Sequence, residues 1–406
     1  MVVFARKKQG HLIITSLSKL AFITLVVSLA SAFTSTVWAV YIDSFVHNTS
    51  KVGFISATLT IVSFIAYFYF IPLIEKSDKS RLYATTLILF IISYILLAIN
   101  RSFYIFLILA FIITIVTALR VTCFGIIIKD KSSKSKLSRN EGIIYTSMNF
   151  AFLIGPLIAG YFAEILGVNF IFLLAALLFA LAFVAFKLSK IHDVNKKKKI
   201  DGNLRKNFID YFKNKKRIIA YIIGGGINFW FVLIYVYMPL YILQNGFHEK
   251  WIGYFLFGAA IPAILFQYKL SEKAGKIGFK KIFKIGFLIP CIFSILCFFV
   301  SNFFLILIFI ILGTVGISIL EPISEAYFFD ILRNKEEELR FYGPYNTTID
   351  VNQFLGEVLP AALLLFLPFK FVFLFFGFIM FLIFLVSLGA KNVVEGKRSR
   401  RLSKTK

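Results

Sequence analysis

The chain has 406 residues, of which 59% are hydrophobic and only 16% charged, far from the balance of a soluble domain of that length. Its net charge of +25 sits in short connectors and two tails between apolar stretches, which points to membrane topology and anionic lipid rather than to nucleic acid. The three cysteines, Cys123, Cys291 and Cys297, lie inside apolar stretches and the four histidines lie outside them, a pattern that excludes a disulfide framework, a metal site or any cofactor built on these residues.

In chain order, twelve membrane spans are predicted, at 20–42, 52–74, 82–99, 103–128, 142–165, 170–188, 218–243, 251–270, 282–300, 303–329, 343–367 and 369–390. Each is about the length that crosses ~30 Å of hydrocarbon at ~1.5 Å per residue. The first follows Arg6, Lys7 and Lys8 and contains Ala30-Ser31-Ala32, as a cleaved signal peptide would. Its apolar run continues to Tyr41, long enough to span, and is read as a retained helix. Basic residues at span ends are counted with the connector they adjoin. On that count, 40 of the 45 Lys and Arg fall in the two termini and the even-numbered connectors. The odd connectors hold only Lys51, Arg101, Lys250 and Lys370, and Arg120 lies within span four. The positive-inside bias then places both termini in the cytoplasm, in a multi-pass protein of the plasma membrane.

The two halves of the chain match at a nearly constant offset. Tyr41-Ile42 and Gly53 align with Tyr241-Ile242 and Gly253 at a shift of 200, and Gly142 and Gly155 with Gly343 and Gly356 at 201. Glu75-Lys76 aligns with Glu272-Lys273 at 197. Two duplicated six-helix bundles are therefore expected, at 1–186 and 218–390. A basic cytoplasmic linker at 187–217, with a short surface helix, joins them, and a basic tail at 391–406 follows. Parallel repeats of this kind are a transporter plan. The plainer alternative is chance recurrence of Gly and Tyr in apolar sequence.

The loop after span eight reads Ser271-Glu272-Lys273-Ala274-Gly275-Lys276-Ile277-Gly278-Phe279-Lys280-Lys281. It resembles motif A of the major facilitator superfamily, and the resemblance extends over essentially the whole chain. The first-half copy, Glu75-Lys76-Ser77-Asp78-Lys79-Ser80-Arg81, is degenerate, with Asp78 in place of a glycine. Gly155-Pro156-Leu157-Ile158-Ala159-Gly160 in span five is similar to the end of the antiporter-type motif C, with Ala159 for one glycine. Arg120 stands where motif B has its arginine, although Cys123 and Phe124 replace the Gln and Gly expected after it.

The resemblance implies an all-α integral membrane fold of two pseudo-symmetric six-helix bundles. It also implies a cytoplasmic gating cluster made by the motif A acid, the base four residues later and the acid ending the fourth helix. By position these are Glu75, Lys79 and Asp130 in one half and Glu272, Lys276 and Asp330 in the other. The acid–base spacing of four lets each pair meet on a helical turn. Ordinary solvated loop charge, worth ~0–1 kcal/mol per pair, is the alternative. Gly155, Pro156 and Gly160 are expected to serve a helix bend and a tight contact with span eight.

Arg120 is the one basic residue deep in a span, where a charge costs ~2.5–3.5 kcal/mol on insertion scales and normally faces a cavity or a partner. A shift of 201 carries it onto Glu321 in span ten, so opposite charges occupy equivalent places. In the superfamily these spans line a central cavity, which both residues are then expected to face. Glu325 lies one turn from Glu321, with Pro322 between them. Span eleven adds Asp350, the repeat partner of Asn149, and Glu357. Asn228 follows Gly224-Gly225-Gly226 on span seven, a run that permits close helix approach or a bend. Substrate or proton coupling is expected at Arg120, Glu321, Glu325, Asp350, Asn149 and Asn228. A permanent Arg120–Glu321 ion pair without a transport role is the other reading.

The expected function is secondary active transport of a small solute by alternating access, driven by protons and tilted by motif C toward export of a drug-like compound or metabolite. An importer of a sugar, amino acid or peptide is the alternative, and a non-transporting scaffold or membrane enzyme the alternative of another class. No Gly-x-x-x-x-Gly-Lys-Ser/Thr pattern occurs, which excludes a fused ATPase of that type. A small-molecule substrate, protons and membrane lipids are the expected partners, nucleic acid is not, and the chain is expected to act as a monomer.

Overall fold

The computed structural model describes residues 5–8, 11–14, 16–131, 137–189, 204–332 and 335–391. A short antiparallel hairpin, β1 (Ala5–Lys8) with β2 (His11–Ile14), comes first. The all-α expectation did not include it. Its second strand is Leu-Ile-Ile after His11, the residue types that favour extended chain.

Among the described residues, helices joined by short turns follow. The first six are α1 (Ser16–Val46), α2 (Thr49–Lys76), α3 (Lys79–Ile99), α4 (Phe103–Lys131), α5 (Leu137–Leu166) and α6 (Val168–Leu188). The short α7 (Leu204–Phe212) precedes α8 (Lys215–Val232), which passes through a π-helical turn at Leu233–Tyr237 into α9 (Met238–Gln244). Then come α10 (Glu249–Ile277), α11 (Phe279–Phe299), α12 (Phe303–Ile331), α13 (Lys335–Leu363) and α14 (Lys370–Ser387). Pro239, just after the π turn, has no N–H to return to Tyr235, and a local widening absorbs the loss. Helix starts follow side-chain caps. Asp78 accepts from the Arg81 N–H at 2.9 Å, Asn214 from Lys216 at 2.9 Å, and Asn302 from Leu305 at 3.0 Å. Gly167 (φ 85°) and Gly278 (φ 100°) make the tight turns into α6 and α11.

Among the described residues, ten helical elements are long and apolar enough to cross a membrane, with α8 through α9 counted as one. The two remaining long helices, α10 and α13, have 29 residues each. Side chains 266–276 of α10 lie outside the described residues. The α13 sequence is polar over most of its length, from Glu336 to Gln353.

The chain packs as two compact units. Unit 1 comprises Met1–Phe45, Thr58–Lys198 and Phe247–Phe257; unit 2 comprises Val46–Ala57, Lys199–Gly246 and Gly258–Lys406. Helices α2 and α10 each contribute to both.

Inside unit 1, α3 lies along α6 through an aromatic seam. Phe172, Phe179 and Phe186 recur every seven residues on α6 and therefore share one face. Tyr94 stacks on Phe172 and Phe179 at 6.0 and 5.5 Å, Phe90 on Phe179 at 4.6 Å, and Tyr83 meets Phe186 at 4.7 Å. In unit 2, α11 approaches α12 where Gly286 accommodates Leu320 and Gly316 lies over the Gly286 carbonyl. On its other side α11 meets α14, where the Ser294 hydroxyl donates to the Phe373 carbonyl at 2.7 Å. Small residues at such seams let helix backbones come close where the apolar surroundings supply little drive of their own.

Candidate functional site

Unit 2 gathers most of the charged and polar side chains that occur deep in the apolar helices. On α12, residues Gly316 to Leu320 are all buried, and then Glu321 and Glu325 are exposed. The Glu321 carboxylate has no hydrogen-bond or ion-pair partner among the described residues. Carboxylates in the middle of an apolar helix do not face lipid, so this side of α12 requires water or a ligand. Helix α12 runs unbroken through Pro322.

The facing helix, α13, supplies polar partners. Tyr342 donates from its hydroxyl to Glu325 Oε1 at 3.1 Å while its ring stacks on Phe329 at 5.7 Å. Tyr345 stacks on Phe328 at 4.0 Å. Asp350 is half-buried on the same helix, and Glu357, one of the helix's deepest acids, is only 2% exposed. The Gln353 amide donates to Glu357 Oε1 at 3.1 Å, and the Tyr237 hydroxyl to the Glu357 carbonyl at 2.5 Å.

Helix α8 closes this arrangement. Each glycine of Gly224-Gly225-Gly226 meets a different neighbour: Tyr345, Asn352, and Ile383 with Phe287. The run thus serves close approach, one of the two expected uses. The Tyr221 hydroxyl and Thr347 Oγ1 lie 3.1 Å apart, and Thr348 Oγ1 donates to the Tyr221 carbonyl at 2.7 Å. Asn228 is half-buried, and its amide donates to Gly224 O at 3.2 Å. Trp230 is fully buried, its indole N–H donating to Thr314 Oγ1 at 3.1 Å, a packing role. Of the predicted coupling residues, Asn228, Glu321, Glu325 and Asp350 therefore belong to unit 2, on α8 and on α12 and α13, which both pack against it. The aromatic hydroxyls of Tyr221 and Tyr342 were not among the expected site residues. Their spacing from the acids spans separate helices, so no local pattern announced them.

In unit 1, Arg120 is half-buried on α4, its guanidinium 5.7 Å from the centre of the Phe90 ring. Its Nε is buried without a hydrogen-bond partner. A cation left beside an aromatic face retains some compensation and keeps its donors available. Asn149 is exposed on α5.

Of the expected cytoplasmic cluster, the side chains of Glu75, Asp130, Glu272 and Lys276 lie outside the described residues. Lys79 opens α3, half-buried, with its ammonium 3.4 Å from the Ser77 carbonyl, and Asp330 lies half-buried at the end of α12. In α5, Gly155 fits against Ala32, while Pro156 and Gly160 lie against Gly253 of α10. Close by, Lys250 donates to Glu164 Oε1 at 2.7 Å.

A family model described as the Major Facilitator Superfamily matches residues 20–275. No curated protein sequence matches the chain. Among solved structures, a POT family transporter in complex with a thioalcohol-conjugated peptide superposes with a TM-score of 0.75 at 16% identity, over 94% of this chain and 96% of that one. The nucleoside transporter NupG gives 0.71 at 12% identity, over 93% and 99%. A bacterial homologue of the human lysosomal transporter Spinster, inward-facing and unoccupied, gives 0.67 at 12%, over 86% and 81%. At such identities these likenesses establish the fold.

Proposed function

This chain belongs to the major facilitator superfamily of membrane transporters, which are not enzymes, and we propose that it exports a drug-like compound or metabolite in exchange for protons. Secondary transport follows from the family; cargo, direction and coupling ion are the proposal. In this reading, bundles 1–186 and 218–390 rock about a cleft, joined by the cytoplasmic linker 187–217. Both termini face the cytoplasm, and the protein acts as a monomer in the plasma membrane.

The observation that carries the proposal is the exposed, unpartnered Glu321 carboxylate on an otherwise buried stretch of α12. A carboxyl placed there is sensitive both to desolvation and to nearby charge, and so can couple proton binding to the state of the protein. Glu325, Asp350 and Asn228 extend the same surface, while Arg120 and Asn149 supply the first-half counterpart. Glu75, Lys79, Asp130, Glu272, Lys276 and Asp330 latch the cytoplasmic side. Pro156 and Gly160 give α5 its close contact with α10, and Gly155 its contact with Ala32 of α1.

A second reading, proton-coupled import, is favoured by the peptide and nucleoside transporters among the structural neighbours. Thermal stabilisation of the purified protein by a panel of peptides, nucleosides, sugars and organic cations tests the cargo. A true ligand at a hundred times its Kd contributes about 2.7 kcal/mol. Flux of that ligand in vesicles, with the pH gradient imposed in each direction, separates export from import. Stabilisation by none of the panel members and no flux in either direction would remove the reading.

A further inference from the structure

Helix α7 has two unlike faces. Asn207, Asp210 and Tyr211 hold it to the rest of unit 2. Arg340 of α13 bridges both Asn207 Oδ1, at 2.8 Å, and the Asp210 carboxylate. Arg217, at the start of α8, donates to the Tyr211 carbonyl at 3.1 Å, and its guanidinium lies 4.0 Å over the Phe341 ring. The Tyr211 hydroxyl returns a bond to the Arg217 carbonyl at 3.0 Å, and its side chain is fully buried.

The opposite face carries Ile209 and Phe212, 50% and 41% exposed, flanked by exposed Lys206 and Lys213. Lys215 and Lys216 continue the exposed basic surface into the first turn of α8. Two large apolar side chains held outward by a docked helix and ringed by lysines match an interfacial helix, with the apolar residues among acyl chains and the ammonium groups at phosphate depth. Position agrees. Only Lys213 and Asn214 separate α7 from α8, which with α9 is long and apolar enough to span, so connectivity puts a membrane surface within reach of α7.

We propose that α7 docks on anionic lipid of the inner leaflet, Ile209 and Phe212 inserting and Lys215 and Lys216 taking the headgroup phosphates, while Lys213 is held by Asp210 at 3.2 Å. The lipid surface then acts on α13 through Arg340, so that leaflet charge sets how firmly the cytoplasmic end of α13 is held. This inference rests on the cytoplasmic placement of 187–217 proposed above.

The test uses Ile209→Cys carrying an environment-sensitive fluorophore. The native thiols Cys123, Cys291 and Cys297 are all buried, so labelling is selective. The full chain is reconstituted in vesicles of phosphatidylcholine alone or of equimolar phosphatidylcholine and phosphatidylglycerol. The expected result is emission at shorter wavelength in the anionic vesicles only, unchanged by excess inorganic phosphate. Replacing Lys215 and Lys216 together with Gln abolishes the difference, and Phe212→Ser weakens it. Equal emission in the two lipids, whether water-like or blue-shifted, would overturn the proposal, as would a difference that survives the double replacement. An impermeant quencher applied to whole cells separately reports the side of the membrane. Quenching from outside would end the orientation reading, whereas an inside position with water-like emission in anionic vesicles would end the docking proposal alone.

Discussion

Gly253 and Gly160 are in backbone contact. A methyl group added to Gly160 would lie 2.9 Å from the Gly253 Cα, and one added to Gly253 would lie 2.5 Å from the Pro156 carbonyl oxygen. The same arrangement recurs elsewhere, where a methyl added to Gly53 would meet the Ala361 Cβ at 2.7 Å and the Glu357 carbonyl oxygen at 3.1 Å. Gly53 and Gly253 are 200 residues apart, Pro156 and Glu357 are 201 apart, and so are Gly160 and Ala361. The offset read from scattered sequence matches thus reappears as one packing contact made twice, once in each unit.

Neither contact has room for a side chain. Gly253→Ala and Gly53→Ala are expected to cost about 1–3 kcal/mol each by overpacking. Thermal unfolding of the purified protein checks this, with Gly343→Ala as the control, since an added methyl there meets nothing within 4 Å. An exposed helical glycine replaced by alanine is expected to hold or gain about 0.5–1 kcal/mol. Equal melting temperatures for all three variants would contradict the packing account.

Lys250 is held charged by the hydrogen bond it donates to Glu164, with the carboxylate's charge adding, and its pKa is raised above the ordinary 10.5. A group raised in the folded state contributes stability below its ordinary value and loses it as pH rises through the folded one. The melting-temperature difference between the wild type and Lys250→Met is therefore expected to be flat through neutral pH and, on the alkaline side, to shrink above about pH 10.5. A difference that changes between mild acid and neutrality would assign the pH dependence to another group.

Asp210 titrates in the opposite sense. The Lys213 hydrogen bond first, and then the charges of Lys213 and Arg340, hold its carboxyl below the ordinary 3.8. Its contribution is present above that value and lost as pH falls through the lowered one. Protection of the α7 amides from hydrogen exchange is expected to hold from neutral pH down to about 3.8, and to fall at neutral pH in Arg340→Gln. Unchanged protection in that variant would show that α7 is held by Tyr211 and its bonds with Arg217, without the Arg340 bridge.

Much of the fold was legible because hydrocarbon imposes length and composition directly. The apolar runs ending at Ile99, Ile128 and Leu188 were visible as spans, with charge or turn residues close behind each. Helix ends beyond the apolar run were less legible. Helix α13 begins at Lys335 rather than 343, since Glu336, Glu337 and Glu338 suit a helix N-terminus but carry no hydropathy signal. Arg120 and Glu321 stood out because isolated charges in apolar helices are costly. The Tyr342–Glu325 bond and the Arg340 bridge to α7 join residues 17 and 130 apart, and only packing brings them together. The local hint for α7 was Phe208, Tyr211 and Phe212, apolar residues three and four apart in an otherwise polar stretch.

Glu321→Gln provides the most direct measurement of proton coupling. The substitution removes the titratable group and keeps shape and hydrogen-bonding capacity. In vesicles with an imposed pH gradient, the variant is expected to lose uphill movement of the identified substrate down to the level of protein-free vesicles, while substrate exchange at equal pH persists. Uphill movement at the wild-type rate would contradict the account.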